Sequence, residues 1–274
     1  MKVNEFFNFS SSPFLNNHDS MYESKDYREI DKRLEFFNEQ SGTALFTGIH
    51  GTGKSTIIKY LLDTTNKNIY IRGGDLTSFE FFNQLGRSLE IDTNHCHISK
   101  IYEDIVTRAD TYKANNKKLV IIIDDIERLP VKTLEGFKLL CDSEISLILI
   151  GHSSFRSRLK DGRLAFLVND IIINYDCGGL SVSETKEYIK HRLSLVSDNG
   201  LNIDDRYFNT IFTYTNGIPQ IINKYMSTVL LIAYIRNTKS IDNKLLQLAN
   251  DEMEIYMVWT KMNYMKKLII LKVN

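Results

Sequence analysis

Residues 48–56 read GIHGTGKST, a run of glycine, lysine and hydroxyl residues directly after the apolar segment TALFT. Gly48 is followed after four residues by Gly53-Lys54-Ser55, the spacing of a phosphate loop. The context matches as well: a buried strand precedes the loop and a helix, STIIKYLL, follows it. Glycines let the main chain curl until several N–H groups converge on one point, and the positive end of the next helix adds to them. Gly48, Gly51, Thr52, Gly53, Lys54, Ser55 and Thr56 are therefore the candidate nucleotide-binding residues. Lys54 is placed to neutralise the β- and γ-phosphates, and Ser55 to offer its hydroxyl to Mg²⁺. The expected ligand is ATP with Mg²⁺; these residues by themselves admit GTP equally.

A second group of candidates ends the apolar run LVIII, which continues into Asp124-Asp125. Ligands of open α/β sheets sit at the carboxyl ends of the strands. Asp124 is expected to hold Mg²⁺ through water, and Asp125 to polarise the attacking water as general base. Asp is one methylene shorter than the Glu more often found in that role, and Glu127 lies close enough in sequence to compensate. The next run, SLILI, leads into Gly151-His152-Ser153-Ser154. His152 first and Ser153 second are candidates to contact the γ-phosphate or the water. A plain surface-loop histidine is the alternative.

The elements that must position these residues follow from the apolar pattern. TALFT (43–47), NIYIR (68–72), LVIII (119–123), SLILI (146–150) and DIIIN (170–174) do not alternate. Such runs suit strands buried on both faces. Helical stretches are expected over 54–63, 78–89, 98–114, 131–141 and 153–160. Strands alternating with helices predict a parallel sheet wrapped by helices. After residue 178 the strand signals stop. Ser181, three residues before Glu184, opens a helix with a capping box, and Val182, Ile189, Leu193 and Val196 fall on one face. Further helices are expected near 204–214, 219–236 and 241–256. The predicted fold is thus an α/β P-loop NTPase core with a C-terminal all-helical lid. The expected organisation is an N-terminal strap (1–35) with a helix near 26–39, a core (36–178), the lid (179–257) and a tail (258–274).

Composition narrows the remaining classes. Lys+Arg and Asp+Glu both number 34, which argues against a chain-wide polyanion-binding surface. Local basic clusters remain, at Lys113, Lys117 and Lys118 and in the tail at Lys261, Lys266, Lys267 and Lys272. The three cysteines, Cys96, Cys141 and Cys177, are odd in number and scattered, so no disulfide framework is implied. The HCH segment at 95–97 has no zinc-site spacing. Phe79, Phe81 and Phe82 read as a helix face buried on the sheet. No signal peptide is read, and no run reaches the roughly 18–20 apolar residues of a membrane helix. The expectation is a cytoplasmic protein without membrane insertion.

Several of these segments together resemble the AAA+ ATPases of the ExeA/GspA type, including their relatives that act as transposition helper ATPases. The resemblance runs from FFNFSSSPF and YREIDKRLEFF through the phosphate loop and LILIGHSSFRSRL to LSVSETKEYIKHRL and NGIPQIINKY. It implies an AAA+ core, ATP at a subunit boundary, and arginines that reach the γ-phosphate from a neighbour and from the lid. It also implies that Phe14, Tyr22 and Ile49 border the adenine, with ordinary core packing as the alternative. Two positions depart from the family pattern. Gly217-Ile218-Pro219-Gln220 stands where relatives read Gly-x-Pro-Arg, and Asp170 where they tend to carry an arginine before the fifth strand. Arg156, Arg158 and Arg163 lie upstream as substitutes. The resemblance therefore implies a slow ATPase that assembles with other copies of itself. Its expected partners are double-stranded DNA and a transposase. The alternatives are an ATPase of a secretion or pilus assembly system, or a nucleotide-dependent protein-interaction switch. The chain ends soon after the lid, as stand-alone helpers do, and the tail reads as a final or interaction helix.

Overall fold

Branched aliphatic runs that do not alternate can bury both faces only at the centre of a layered fold, and five of them here line up as one parallel sheet. The computed structural model describes residues 2–15, 20–62, 66–94, 97–143, 145–197, 201 and 203–253. The chain opens with α1 (Lys2–Phe7) and α2 (Lys25–Glu39), then β1 (Thr43–Gly48), α3 (Lys54–Leu61), β2 (Lys67–Arg72), α4 (Ser78–Ser88) and α5 (Ile98–Ala114). It continues with β3 (Leu119–Asp124), α6 (Val131–Glu135), α7 (Phe137–Asp142), β4 (Ser146–Gly151), α8 (Phe155–Arg158), α9 (Ala165–Asp170) and β5 (Ile171–Cys177). The helices α10 (Val182–Ser194), α11 (Phe208–Thr215), α12 (Pro219–Ile235) and α13 (Asn243–Glu252) complete it. By contacts the chain groups into two compact units, Arg28–His50 with Lys54–Gly178, and Met1–Tyr27 with Gly51–Gly53 and Gly179–Asn274.

In the α/β unit the strand order is β2-β3-β4-β1-β5, and every pairing is parallel. β1 and β4 are buried along their whole length, because each has a strand on both sides and helices on both faces. β5 lies at an edge, and its burial is correspondingly mixed. Leu45 pairs with Leu149 and Ile121 with Leu147, so equivalent aliphatic layers stack across the sheet. One face packs on α4, where Phe81 and Phe82 are fully buried and Phe81 meets Phe137 at 4.9 Å between ring centroids. Phe79, by contrast, stays 40% exposed. The helix expected over 131–141 is two helices that meet at Gly136. A Cβ on Gly136 would stand 3.0 Å from the Phe82 ring, so the chain passes close there at a residue that is a poor helix former. α9 carries no signal in the expectation, and the helix expected over 153–160 is only the four residues of α8.

The basic cluster before β3 is split by the fold. Lys118 donates through Nζ to the carbonyl of Phe37 at 2.6 Å and to that of Gln40. Its ammonium caps the C-terminal end of α2, where carbonyls are left without helical partners. Lys113 and Lys117 are exposed.

The second unit is helical. Ser181 and Glu184 form the expected capping box, with the Ser181 hydroxyl accepting from the Glu184 N–H and the Glu184 carboxylate accepting from the Ser181 N–H. Ile189, Leu193 and Val196 are buried as the periodicity requires, whereas Val182 is 38% exposed. As the first helical residue its side chain leans off the N-terminal end. The lead-in residues contain α1, and Phe7, Phe9 and Phe14 join the same hydrophobic cluster as Ile189, Tyr225 and Met226. Phe14 is thus a core residue of this unit. Pro219 starts α12 at a position where its missing N–H costs nothing. The buried Tyr225 hydroxyl donates to the Leu246 carbonyl at 2.7 Å, tying α12 to α13. Among the described residues no helix is long and apolar enough to cross a membrane. The tail 258–274 with its lysines, and His95 and Cys96, lie outside the described residues.

Candidate functional site

β1 ends at Gly48 and α3 begins at Lys54, so the motif is a strand–loop–helix connection. Gly51 and Gly53 have φ of 86° and 95°, a region that residues with a Cβ rarely adopt. A curl of this kind is what lets successive main-chain N–H groups of a phosphate loop converge on one point. Lys54 is 7% exposed. Its ammonium donates to the carbonyls of Gly48 at 3.0 Å and Ile49 at 2.9 Å. Burial lowers its pKa from the ordinary lysine value, and the negative charges of Asp124, Glu127 and Asp176 act against that shift. Ser55 is half-buried and Thr56 exposed in the first turn of α3.

Asp124 closes β3 and is half-buried. Its carboxylate accepts from the Asp125 N–H at 3.0 Å and from the Tyr70 hydroxyl on β2. Burial and that hydrogen bond together push the tyrosine pKa up. Asp125 is in the left-handed conformation, φ 53°, ψ 41°, and begins the tight turn Ile126–Arg128. Its Oδ2 accepts from Arg72 Nε at 2.9 Å. Because β4 lies between β3 and β1, the residues after β4 stand between the acidic strand end and the phosphate loop. There the His152 N–H donates to Glu127 Oε2 at 2.9 Å. The His152 ring stacks on the His50 ring, with centroids 5.0 Å apart, and its Nδ1 lies 2.9 Å from Ser154 Oγ. His50 Nε2 is 3.7 Å from Glu127 Oε1. One ligand atom each of His50, Asp125 and Glu127 lie within 4.8 Å of one another.

Ser153, the second candidate beyond β4, donates to Asp176 Oδ1 at 2.9 Å. Asp176 also accepts from Thr47 at 2.8 Å, and Arg156 donates to Thr47 and to Asn174, both at 2.7 Å. Arg158 is bound to the carbonyls of Glu127 and Leu129, both at 2.6 Å. Arg163 is exposed, beside Asp161 and Glu135. Asp170 accepts from the Thr43 hydroxyl, at the start of β1 and hence at the opposite end of the sheet from the phosphate loop. In the other unit, which includes Gly51–Gly53, the Gln220 N–H donates to the Gly51 carbonyl at 3.1 Å.

The sequence reading does not contain His50, Tyr70, Arg72 or Asp176. His50 occupies one of the four positions that the phosphate-loop spacing leaves open. Tyr70 and Arg72 matter only because β2 is the neighbour of β3, which no local pattern specifies.

The arrangement fits a magnesium nucleotide. The curled loop offers main-chain donors, Lys54 adds a cation, and Ser55 with Asp124 supplies a hydroxyl and a carboxylate, the hard oxygen ligands that Mg²⁺ prefers. The comparisons with known proteins agree. Residues 38–159 match the family AAA_22, described as AAA domain. The chain is 25% identical over 252 residues to General secretion pathway protein A of Aeromonas hydrophila, an alignment that covers 86% of this chain and 46% of that protein. The chain thus spans about half the length of that relative. Among solved structures, the Aeropyrum pernix Orc1 protein in complex with DNA superposes with a TM-score of 0.65 at 16% identity, covering 88% of this chain and 69% of that one. The Walker-type ATPase of Pyrococcus abyssi gives a TM-score of 0.64 at 13% identity, covering 94% and 80%. The chain therefore shares the α/β fold of these solved ATPase structures, is similar over residues 38–159 to the family described as AAA domain, and is similar to General secretion pathway protein A over most of its length.

Proposed function

We propose that this chain binds Mg·ATP, hydrolyses it slowly, and uses the bound state to assemble copies of itself on duplex DNA as a transposition helper that recruits a transposase. The observation that carries the nucleotide reading is the curled loop, with Gly51 and Gly53 at positive φ and the buried Lys54 next in sequence. In this reading the loop from Gly48 to Thr56 holds the phosphates. Ser55 and Asp124 hold Mg²⁺, which when bound screens the charge of the phosphates. An acid of the turn after β3 takes the proton of the attacking water, Asp125 being the expectation from the sequence, and His152 contacts the γ-phosphate or that water. Slow turnover follows from chemistry at two positions. Gln220 carries no charge to stabilise a transition state, and Asp170 sits at the far end of the sheet bound to Thr43. Of the upstream arginines, Arg156 and Arg158 are engaged within the unit, and Arg163 is the exposed one. The DNA reading is supported by the fold shared with an Orc1 protein in complex with DNA.

A second reading is favoured by one observation, the similarity to General secretion pathway protein A, and would place the same ATP-driven assembly in a secretion system. The test is retention on plain duplex DNA with ATP, with ADP and without nucleotide, for wild type and Lys54→Ala. ATP-dependent, salt-sensitive retention that Lys54→Ala loses is the expected result. Retention unchanged by nucleotide would sink the DNA reading, and co-purification with envelope proteins would favour the second.

A further inference from the structure

We propose that Glu127 is the carboxylate that takes the proton from the attacking water. The proposal rests on the ATPase reading above and names the base within that same site.

The reason is topological. β3 and β1 are not neighbours, since β4 runs between them. A carboxylate that serves the phosphate loop after β1 from the end of β3 must cross the end of β4. Asp125 is tethered from the other side, its Oδ2 bound by Arg72 on β2 at 2.9 Å, although a carboxylate oxygen of it lies within 4.8 Å of His50 and Glu127. Glu127 makes the crossing. Its Oε2 accepts from the His152 N–H just beyond β4 at 2.9 Å, and its Oε1 stands 3.7 Å from His50 in the phosphate loop. The side chain is 14% exposed. Its backbone is anchored as well, because Arg158 donates to the Glu127 carbonyl at 2.6 Å.

Two neighbouring residues have types that suit this assignment. A Cβ at Gly151 would stand 2.6 Å from Glu127 Oε2, so the last residue of β4 has no side chain where the carboxylate passes. Asp125 stands at φ 53°, a conformation that Asp tolerates better than most residues. The turn therefore accounts for an aspartate at 125 without any role in proton transfer.

The step balances as follows. A water oxygen bonds to the γ-phosphorus while the bond from that phosphorus to the β–γ bridging oxygen breaks. Its electron pair leaves on ADP. The water proton passes to Glu127 and is then released, giving ADP and inorganic phosphate.

The test compares wild type, Glu127→Gln and Asp125→Asn with Mg·ATP, reading phosphate release for kcat and calorimetry for Kd. Glutamine keeps the shape and an acceptor for the His152 N–H. The expected result is a kcat loss of about 100-fold or more in Glu127→Gln with Kd held within about threefold. Asp125→Asn should lose only about tenfold, through the weakened pairing with Arg72. Turnover by Glu127→Gln near wild type, or a loss in Asp125→Asn as deep as in Glu127→Gln, overturns the assignment and leaves the ATPase reading standing. A Glu127→Gln protein that no longer binds ATP shows a structural role and also overturns it. Wild type that binds ATP without releasing phosphate overturns both the assignment and the hydrolysis it rests on.

Discussion

Lys54 shows how one residue can be held ready for an anion. Its ammonium is buried, and desolvation lowers its pKa, yet it donates to two carbonyls of its own loop. A cation in that position gains most when a phosphate replaces those weaker acceptors, because charge-assisted hydrogen bonds are roughly twice as strong as neutral ones. Gly151 makes the opposite kind of contribution, through an absent side chain. Its Cβ would meet both Glu127 Oε2 and the Ile126 side chain at 2.6 Å. Gly151→Ala should therefore push the carboxylate aside, lowering turnover about tenfold while Mg·ATP affinity changes little. Steady-state phosphate release and calorimetry on the same preparation measure both, and unchanged turnover would show that the carboxylate has room to adjust.

At the scale of elements, capping and backbone closure do much of the positioning. The Ser181–Glu184 capping box satisfies two otherwise orphaned N–H groups at the start of α10. Removing the hydroxyl with Ser181→Ala should destabilise the helical unit by about 1 kcal/mol, seen as a lower denaturation midpoint with an unchanged slope. Lys118 plays the matching part at the C-terminal end of α2. That structural engagement takes it out of any DNA-facing cluster and leaves Lys113 and Lys117 as the exposed members. The capping box and the five strands were legible because each is a local pattern, a hydroxyl three residues before a glutamate or an unbroken aliphatic run. The break at Gly136 and the helix α9 were not, because they depend on what the chain meets in space, such as the Phe82 ring beside Gly136.

For the whole molecule, the phosphate loop links nucleotide binding to stability. Anything that binds only the folded chain stabilises it by mass action. Mg·ATP at a hundred times its Kd should add about 2.7 kcal/mol, and a thermal melt followed with and without nucleotide reads this directly. Lys54→Ala should melt at the same temperature in both conditions, and a nucleotide shift that survives in the variant would remove the loop from the binding site. Sedimentation in the same buffers tests assembly, with larger species expected in ATP than in ADP. The two compact units make a two-step melt a distinct outcome, which would assign the nucleotide shift to one transition.

Local pattern was enough to determine the sheet's strands, the phosphate loop, the acid at the end of β3 and the helices that the structure describes between Val182 and Glu252. These are properties of spacing along the chain, where a hydrophobic period or a glycine at a given offset acts on its own neighbours. Tertiary structure alone decided that β4 stands between β3 and β1. That order places His50, Glu127 and His152 against one another and turns Asp125 toward Arg72. Partners across a parallel sheet are set by strand order, and strand order is chosen by the packing of the whole core rather than by any one segment.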